Sequence, residues 1–244
     1  MNERTIAATI VAVGIALAGF LAGNGLARGR AADRFVTVKG VTEREVRADL
    51  AIWPLHLVSA DNDLNAAHKR LEASIAGVKQ FLAGQGLDSS GVSLSGFSVN
   101  DAQANEWATE RRAGSRFILK QTLIVRSADV DRVLTASQRA GDLAATGVNF
   151  TSGQEGGGSG GGPTFIFSGL NTVKPQMITE ATARAHEAAD QFARDSHSAL
   201  GGIRQANQGV FEILPRDEAP GISEGSQVNK RVRVVSTVDY FLKN

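Results

Sequence analysis

At 244 residues, with 42% apolar and 21% charged residues, the chain has an ordinary globular composition and enough length to bury a full core. Lys and Arg (26) nearly balance Asp and Glu (25), so a net charge of +1 without a dense basic run gives no ground for a nucleic-acid partner. There is no cysteine, which excludes disulfides, thiol catalysis and zinc sites built on thiolates.

After Asn2, Glu3 and Arg4 comes the uncharged run Thr5 to Gly23, TIAATIVAVGIALAGFLAG. As a helix it would span roughly 29 Å, near the thickness of a bilayer's hydrocarbon core. Ile6, Ile10, Val11, Val13, Ile15, Leu17, Phe20 and Leu21 supply its bulk, and the run is read as a membrane segment. Residues 1–27 form either a retained anchor or a signal segment, for which Gly25-Leu26-Ala27 offers a small-residue cleavage site. Arg4 before the run and Arg28, Arg30 and Arg34 after it leave the orientation open. Residues 28–34 read as a polar linker and 35–244 as the folded body.

Phe35 to Val58 reads as two strands meeting at a polar corner, Thr42 to Glu45. Asp61 or Asp63 caps a helix whose apolar positions, Leu64, Ala67, Leu71, Ile75, Val78 and Leu82, form one stripe; Gly84 and Gly86 stop it. Strands follow at Gly91 to Asn100 and Arg116 to Arg126. In the first, Val92 and Leu94 are out of step with Phe97 and Val99, which predicts a β-bulge near Ser95-Gly96. The connection Asp101 to Ser115 is long for a hairpin and carries Trp107, Arg111 and Arg112.

Ser127 and Asp129 open a short helix that buries Val130, Val133 and Leu134 and closes at Gly141. A weak strand, Gly147 to Thr151, precedes the glycine-rich insertion at 152–163. Thr164 to Ser168 resumes as a strand in which Phe165, Ile166 and Phe167 are buried. Asn171 or Thr172 then caps the longest helix, with Pro175 in its first turn. Its expected buried side is Met177, Ile178, Ala181, Ala185, Ala188, Phe192, Ala199 and Leu200, ended by Leu200-Gly201-Gly202. So many alanines predict close backbone approach to what lies beneath. Val210 to Leu214 and Val228 to Leu242 complete the chain as strands. The reading is α+β: two strand-helix-hairpin units, at about 46–126 and 164–242, with mainly antiparallel sheets packed by long helices and preceded by an N-terminal transmembrane helix.

Chemistry is hard to place. His186 and His197 share a helix face with Asp190; the pair spaced to ligate a metal, His186 and Asp190, lacks a third ligand, and a solvated face is the simpler reading, while His56 and His68 stand apart. The glycines of 156–162 lack the Lys-Ser/Thr of a phosphate loop, and no Gly-x-Ser-x-Gly elbow is present. Glu43, Glu45 and Asp49 read as a charged, exposed edge rather than an acid/base pair. Trp107 with Arg111 and Arg112 fits either a protein contact or a lid on the chain's own core. No catalytic residue, cofactor or metal site is expected.

Val36-x-Val38-x-Gly40, Val46-Arg47-Ala48-Asp49-Leu50-Ala51, the alanine-rich Ala181, Ala183-Arg184-Ala185 and Ala189 leading to Leu200-Gly201, and Val232-x-Val234 to Phe241-Leu242 together resemble the SIMPL domain family. The resemblance runs from about Phe35 to Asn244. Ala48 stands where many relatives have Pro, and the glycine-rich insertion is a second departure. What the resemblance implies is a bacterial envelope protein without established catalytic residues, some of whose relatives assemble into ring- or channel-like homo-oligomers or are associated with stress resistance.

The expected function is therefore a membrane-anchored, self-assembling envelope protein, with the chain itself and the membrane as partners. It would sit in the inner membrane as a single-pass protein with a periplasmic body, or in the periplasm or outer membrane if the leader is cleaved. The alternative is a non-enzymatic binding or adaptor module for another envelope protein or a small ligand.

Overall fold

The computed structural model describes residues 12–23, 34–104, 114–145, 147–151 and 162–243. Helix α1 covers residues 12–23 and is exposed along its length. The first strand, β1 (Phe35–Arg47), runs straight through the Thr42 to Glu45 segment expected to turn. Alternation explains this: Val36, Val38, Gly40 and Thr42 point inward, and Thr37, Lys39, Glu43 and Glu45 of the opposite parity are exposed, so the two acids mark a solvated face and not a corner. The chain turns instead at Ala48-Asp49 and enters β2 (Leu50–Asp61), which belongs to a different sheet.

Helix α2 (Leu64–Gly84) begins where expected, with the Asp63 carboxylate accepting from Ala66 N at 2.8 Å. Ala67, Leu71, Val78 and Leu82 form its buried stripe, each large one contributing about 1.5–3 kcal/mol by leaving water. Strands β3 (Val92–Asp101) and β4 (Phe117–Ser127) follow, and their pairing shifts register between Ser95 and Ser98. Gly96 takes φ +64° there, so the expected bulge is present and glycine suits its backbone.

Helix α3 (Val130–Gln138) is capped by Asp129 and buries Ala136 along with Val130 and Val133, leaving Leu134 half-buried. Gly141 does not close it. That glycine opens a separate five-residue helix, α4 (Gly141–Ala145), which buries Leu143. Of the weak strand only β5 (Phe150–Thr151) pairs. Strand β6 (Thr164–Ile166) is short, with Phe165 buried and Ile166 and Phe167 half-buried. Residues 152–161 of the glycine-rich insertion lie outside the described residues.

Helix α5 (Leu170–Asp195) starts before Asn171 and Thr172, so neither caps it, and Pro175 sits in its second turn. Its buried line is Met177, Ala181, Ala185, Ala189 and Ala193 at strict four-residue spacing. Ala188 and Phe192, expected inside, are exposed. The predicted close approach is real at Gly40: a Cβ there would run into Ala181 O and stand 2.6 Å from Ala185 N. Leu200-Gly201-Gly202 is not a helix end. The helix stops at Asp195, His197 takes φ +53°, and Leu200 to Gly202 lie in β7 (Ala199–Gln208). Strand β8 (Glu212–Pro215) is shorter than the expected Val210 to Leu214 strand and shifted along the chain, and β9 (Asn229–Lys243) closes the chain.

Contacts divide the chain into two compact bodies. One comprises Arg44–Val173 and Ile213–Val232, and the other Met1–Glu43, Lys174–Glu212 and Arg233–Asn244. In the first, a sheet ordered β3-β4-β2-β5, with β6 also on β2, is packed by α2 around Trp53, Leu55, Leu57, Leu119 and Leu123. In the second, a sheet ordered β1-β9-β7 packs on α5 around Val36, Val38, Ala185, Ala189, Val238 and Tyr240. Leu242 N donates to Arg34 O, and Thr37 Oγ1 donates to Asp239, so β1 and β9 run antiparallel.

The two plans match: β2-α2-β3-β4 and β1-α5-β7-β9 are each strand, helix, strand, strand, with the last strand central. They are nested, not tandem. The expected second unit does not begin at Thr164, because three-residue β6 joins β2, and the first strand of that unit is β1.

Candidate functional site

In both bodies the helix lies over the first and last strands of the unit, and the middle strand is left at the edge. β3 pairs with β4 and β7 with β9, and neither has a second neighbour among the described residues. On β3 the bulge brings Leu94, Phe97 and Val99 to the helix-bearing face of the sheet, since Leu94 is opposite Leu123 and Val99 opposite Leu119. The helix does not reach that far: the three are 50%, 54% and 47% exposed. The strand VSLSGFSVND carries neither Lys, Arg nor Pro, the residues that most often blunt an open edge. On β7, Ile203 is opposite Tyr240 and 55% exposed, and Val210 beyond its end is 83% exposed.

Away from the two outer strands, each body carries well-bonded polar groups. The carboxylate of Asp49 accepts from Ser168 N at 2.9 Å and from Gly169 N at 3.0 Å, just before the first turn of α5. Burial opposes its ionisation, but the bonds from Ser168 and Gly169 outweigh that and hold its carboxyl below the usual range. Glu43 pairs with Arg233 at 3.5 Å. Lys230 is fully buried, its ammonium bonded to the Glu224 carbonyl at 2.6 Å and paired with the Glu224 carboxylate.

The profile of the SIMPL family, described as a protein of unknown function (DUF541), matches residues 36–237. The chain belongs to the SIMPL family. A search of curated proteins returns no match. Among solved structures, this SIMPL protein aligns with an uncharacterized conserved protein from Listeria innocua at 13% identity, covering 79% of this chain and 91% of that one, with a TM-score of 0.18. It aligns with a hydrolase from Listeria innocua at 15% identity, covering 79% and 90%, also at 0.18. TM-scores this low carry no argument about either fold or activity.

Of the residues singled out from the SIMPL sequence, Trp107, Arg111 and Arg112 lie outside the described residues. The base of their connection is well tied. Arg116 pairs with Asp101 at 3.0 Å, its guanidinium lies 4.7 Å over the Phe117 ring, and its N–H donates to Asn62 Oδ1. The side-chain bond from Arg116 holds the Asp101 carboxyl below its ordinary range.

Val13, Ile15, Leu17, Phe20 and Leu21 are exposed on α1, while Ile6, Ile10 and Val11 lie outside the described residues. No helix among the described residues is long and apolar enough to cross a membrane, so the expected transmembrane helix is not found in that form.

His186 pairs with Asp190 at 3.5 Å and tilts against the Tyr240 ring, 5.5 Å between centroids. His56 Nδ1 meets Thr122 Oγ1 at 2.9 Å, and His68 faces Glu72 at 3.7 Å. Among the described residues no three acidic or histidine side chains converge as metal ligands would. The roles of Asp49 and Lys230 escaped the sequence reading. A cap-forming residue type at 49 was visible, but its partner lies in another part of the chain; Lys230 falls in phase with Val232 and Val234, yet its charge reads as a surface residue until Glu224 is placed beside it.

Proposed function

We propose that this SIMPL protein is a membrane-anchored, non-enzymatic envelope component that self-assembles into a homo-oligomer through its open strand edges. The observation that carries the reading is β3: a ten-residue outer strand with an apolar row on a face its own helix leaves bare. A second copy supplies both what the edge lacks, backbone hydrogen bonds, and what the row lacks, apolar cover. The doubled plan gives each copy two such edges, β3 and β7, so that association can continue past a dimer. The apolar run Thr5 to Gly23 serves as the tether that concentrates copies on one surface, and the Trp107, Arg111 and Arg112 connection, rooted at Asp101 and Arg116, adds contacts.

The absence of cysteine allows a direct test. Ser98→Cys on β3, labelled with a benzophenone maleimide and irradiated in the full chain, should cross-link to peptides of a second copy. The same label at Lys69→Cys, on the solvated face of α2, should not. Cross-links from position 98 only within its own chain, or to other envelope proteins in cell extracts and never to a second copy, would overturn the proposal, the latter result favouring an adaptor.

A further inference from the structure

The body that holds α2 has a depression of about 300 Å³ away from β3, at the lower end of what small-molecule sites occupy. It exists because α2 turns small. Ala73, Ser74 and Gly77 line its helix side, between the large buried Leu71 and Val78, while Val58 and Ala60 of β2 and Val148 form the opposite wall.

Gly77 is the unexpected residue. A mid-helix glycine is less favourable than alanine, and here packing does not call for it: an added Cβ would meet only Val148 Cγ2, at the ordinary contact distance of 3.4 Å. Both hydroxyls of the region are used by the helix itself, Ser59 on Ala67 O and Ser74 on Arg70 O.

Two polar groups of the lining are not used up. Arg70 spends Nη1 on Ala60 O at 3.4 Å and on the Asp61 carboxylate at 2.7 Å. Its Nε and Nη2, the edge that matches a carboxylate side-on with two parallel bonds, have no partner among the described residues. The Asn149 amide likewise has none, while its backbone carbonyl is taken by Val58 N at 3.1 Å.

We propose that this depression binds a small monocarboxylic acid, its carboxylate on the free edge of Arg70 with Asn149 donating beside it, and its apolar body against Val58, Ala60 and Val148. Asp61 on Nη1 sets the guanidinium's orientation and leaves the opposite edge to the ligand. The site is separate from the strand edges of the proposed function and does not depend on self-assembly.

The probe is benzoate, with benzyl alcohol as its uncharged analogue, titrated against the full chain and followed by isothermal titration and by amide shifts. Benzoate should saturate, shifting residues 58–60, 70–77 and 147–149, and benzyl alcohol should bind at least about tenfold more weakly. Arg70→Gln should lose binding by a similar factor while leaving the melting temperature near that of the parent. Gly77→Ala should melt no lower than the parent, because it favours the helix, yet weaken benzoate by crowding the depression. The proposal fails if benzoate shows no saturation, if Arg70→Gln binds it as the parent does, or if the shifts map elsewhere.

Discussion

The carboxylate of Asp49 accepts backbone hydrogen bonds from residues 119 and 120 positions further along the chain, and so joins the β1-β2 turn to the entry of α5. It ties down the backbone that leads into the helix, and Asp49→Ala should cost about 1 kcal/mol near neutral pH. The depressed carboxyl fixes the direction of the pH dependence. The stabilisation is complete above the unfolded value of about 3.9 and is lost as pH falls through the lower folded value. Urea melts of parent and Asp49→Ala should therefore differ at pH 7 and converge toward pH 3. A difference that grows on acidification would contradict this assignment.

Gly40 makes the opposite kind of contribution, by having no side chain. With Ala181 and Ala185 of α5 against its backbone, Gly40→Ala must push the helix off the sheet and should cost about 3 kcal/mol, the upper range for overpacking, measured by chemical denaturation. The alanine-rich face of α5 announced this approach, whereas Asp49, a short acidic residue among other acids, gave no sign of its distant donors.

At the scale of elements, the readings that held were those where one local rule decides the outcome. The out-of-step Val92, Leu94, Phe97 and Val99 required an extra residue, and the register shift between Ser95 and Ser98 supplies it. Asp63 and Gly86 bracket α2 as cap and left-handed stop. The misreadings have a common cause, because they involve segments whose state is set by a neighbour. Thr42 to Glu45 looks like a turn until β9 is placed beside it, and Ala199 to Gln208, polar and with two adjacent glycines, is a strand only because β9 pairs with it.

Lys230 belongs with these. Alternation along β9 places it inside, where the turn at Glu224 supplies the counter-charge. Glu224→Ala should cost about 3 kcal/mol by leaving a buried ammonium with only a carbonyl, and adding Lys230→Met should restore most of it, because an apolar side chain needs no partner there. Equal stability of the single and double variants would show that the pair does not matter.

For the molecule as a whole, composition and periodicity sufficed for α+β and for a doubled plan, yet not for its nesting. Three-residue β6 and thirteen-residue β1 are both plausible first strands for α5, and only the pairing of β1 with β9 decides between them. The candidate surface was half legible. Its bulge and apolar row could be read from the spacing, but their exposure depends on where α2 ends laterally, which sequence does not encode locally. Self-association is the property on which the functional account rests, and charge placed in the bare row should abolish it while sparing the fold, because those side chains are already half in water.

The most direct measurement is sedimentation velocity of the full chain beside Phe97→Lys and Val99→Lys, with circular dichroism confirming that each is folded. The account predicts a discrete species of many subunits for the parent and a shift toward monomer for both variants. A parent that sediments as a monomer, or folded variants that keep the parent's full size, would contradict it.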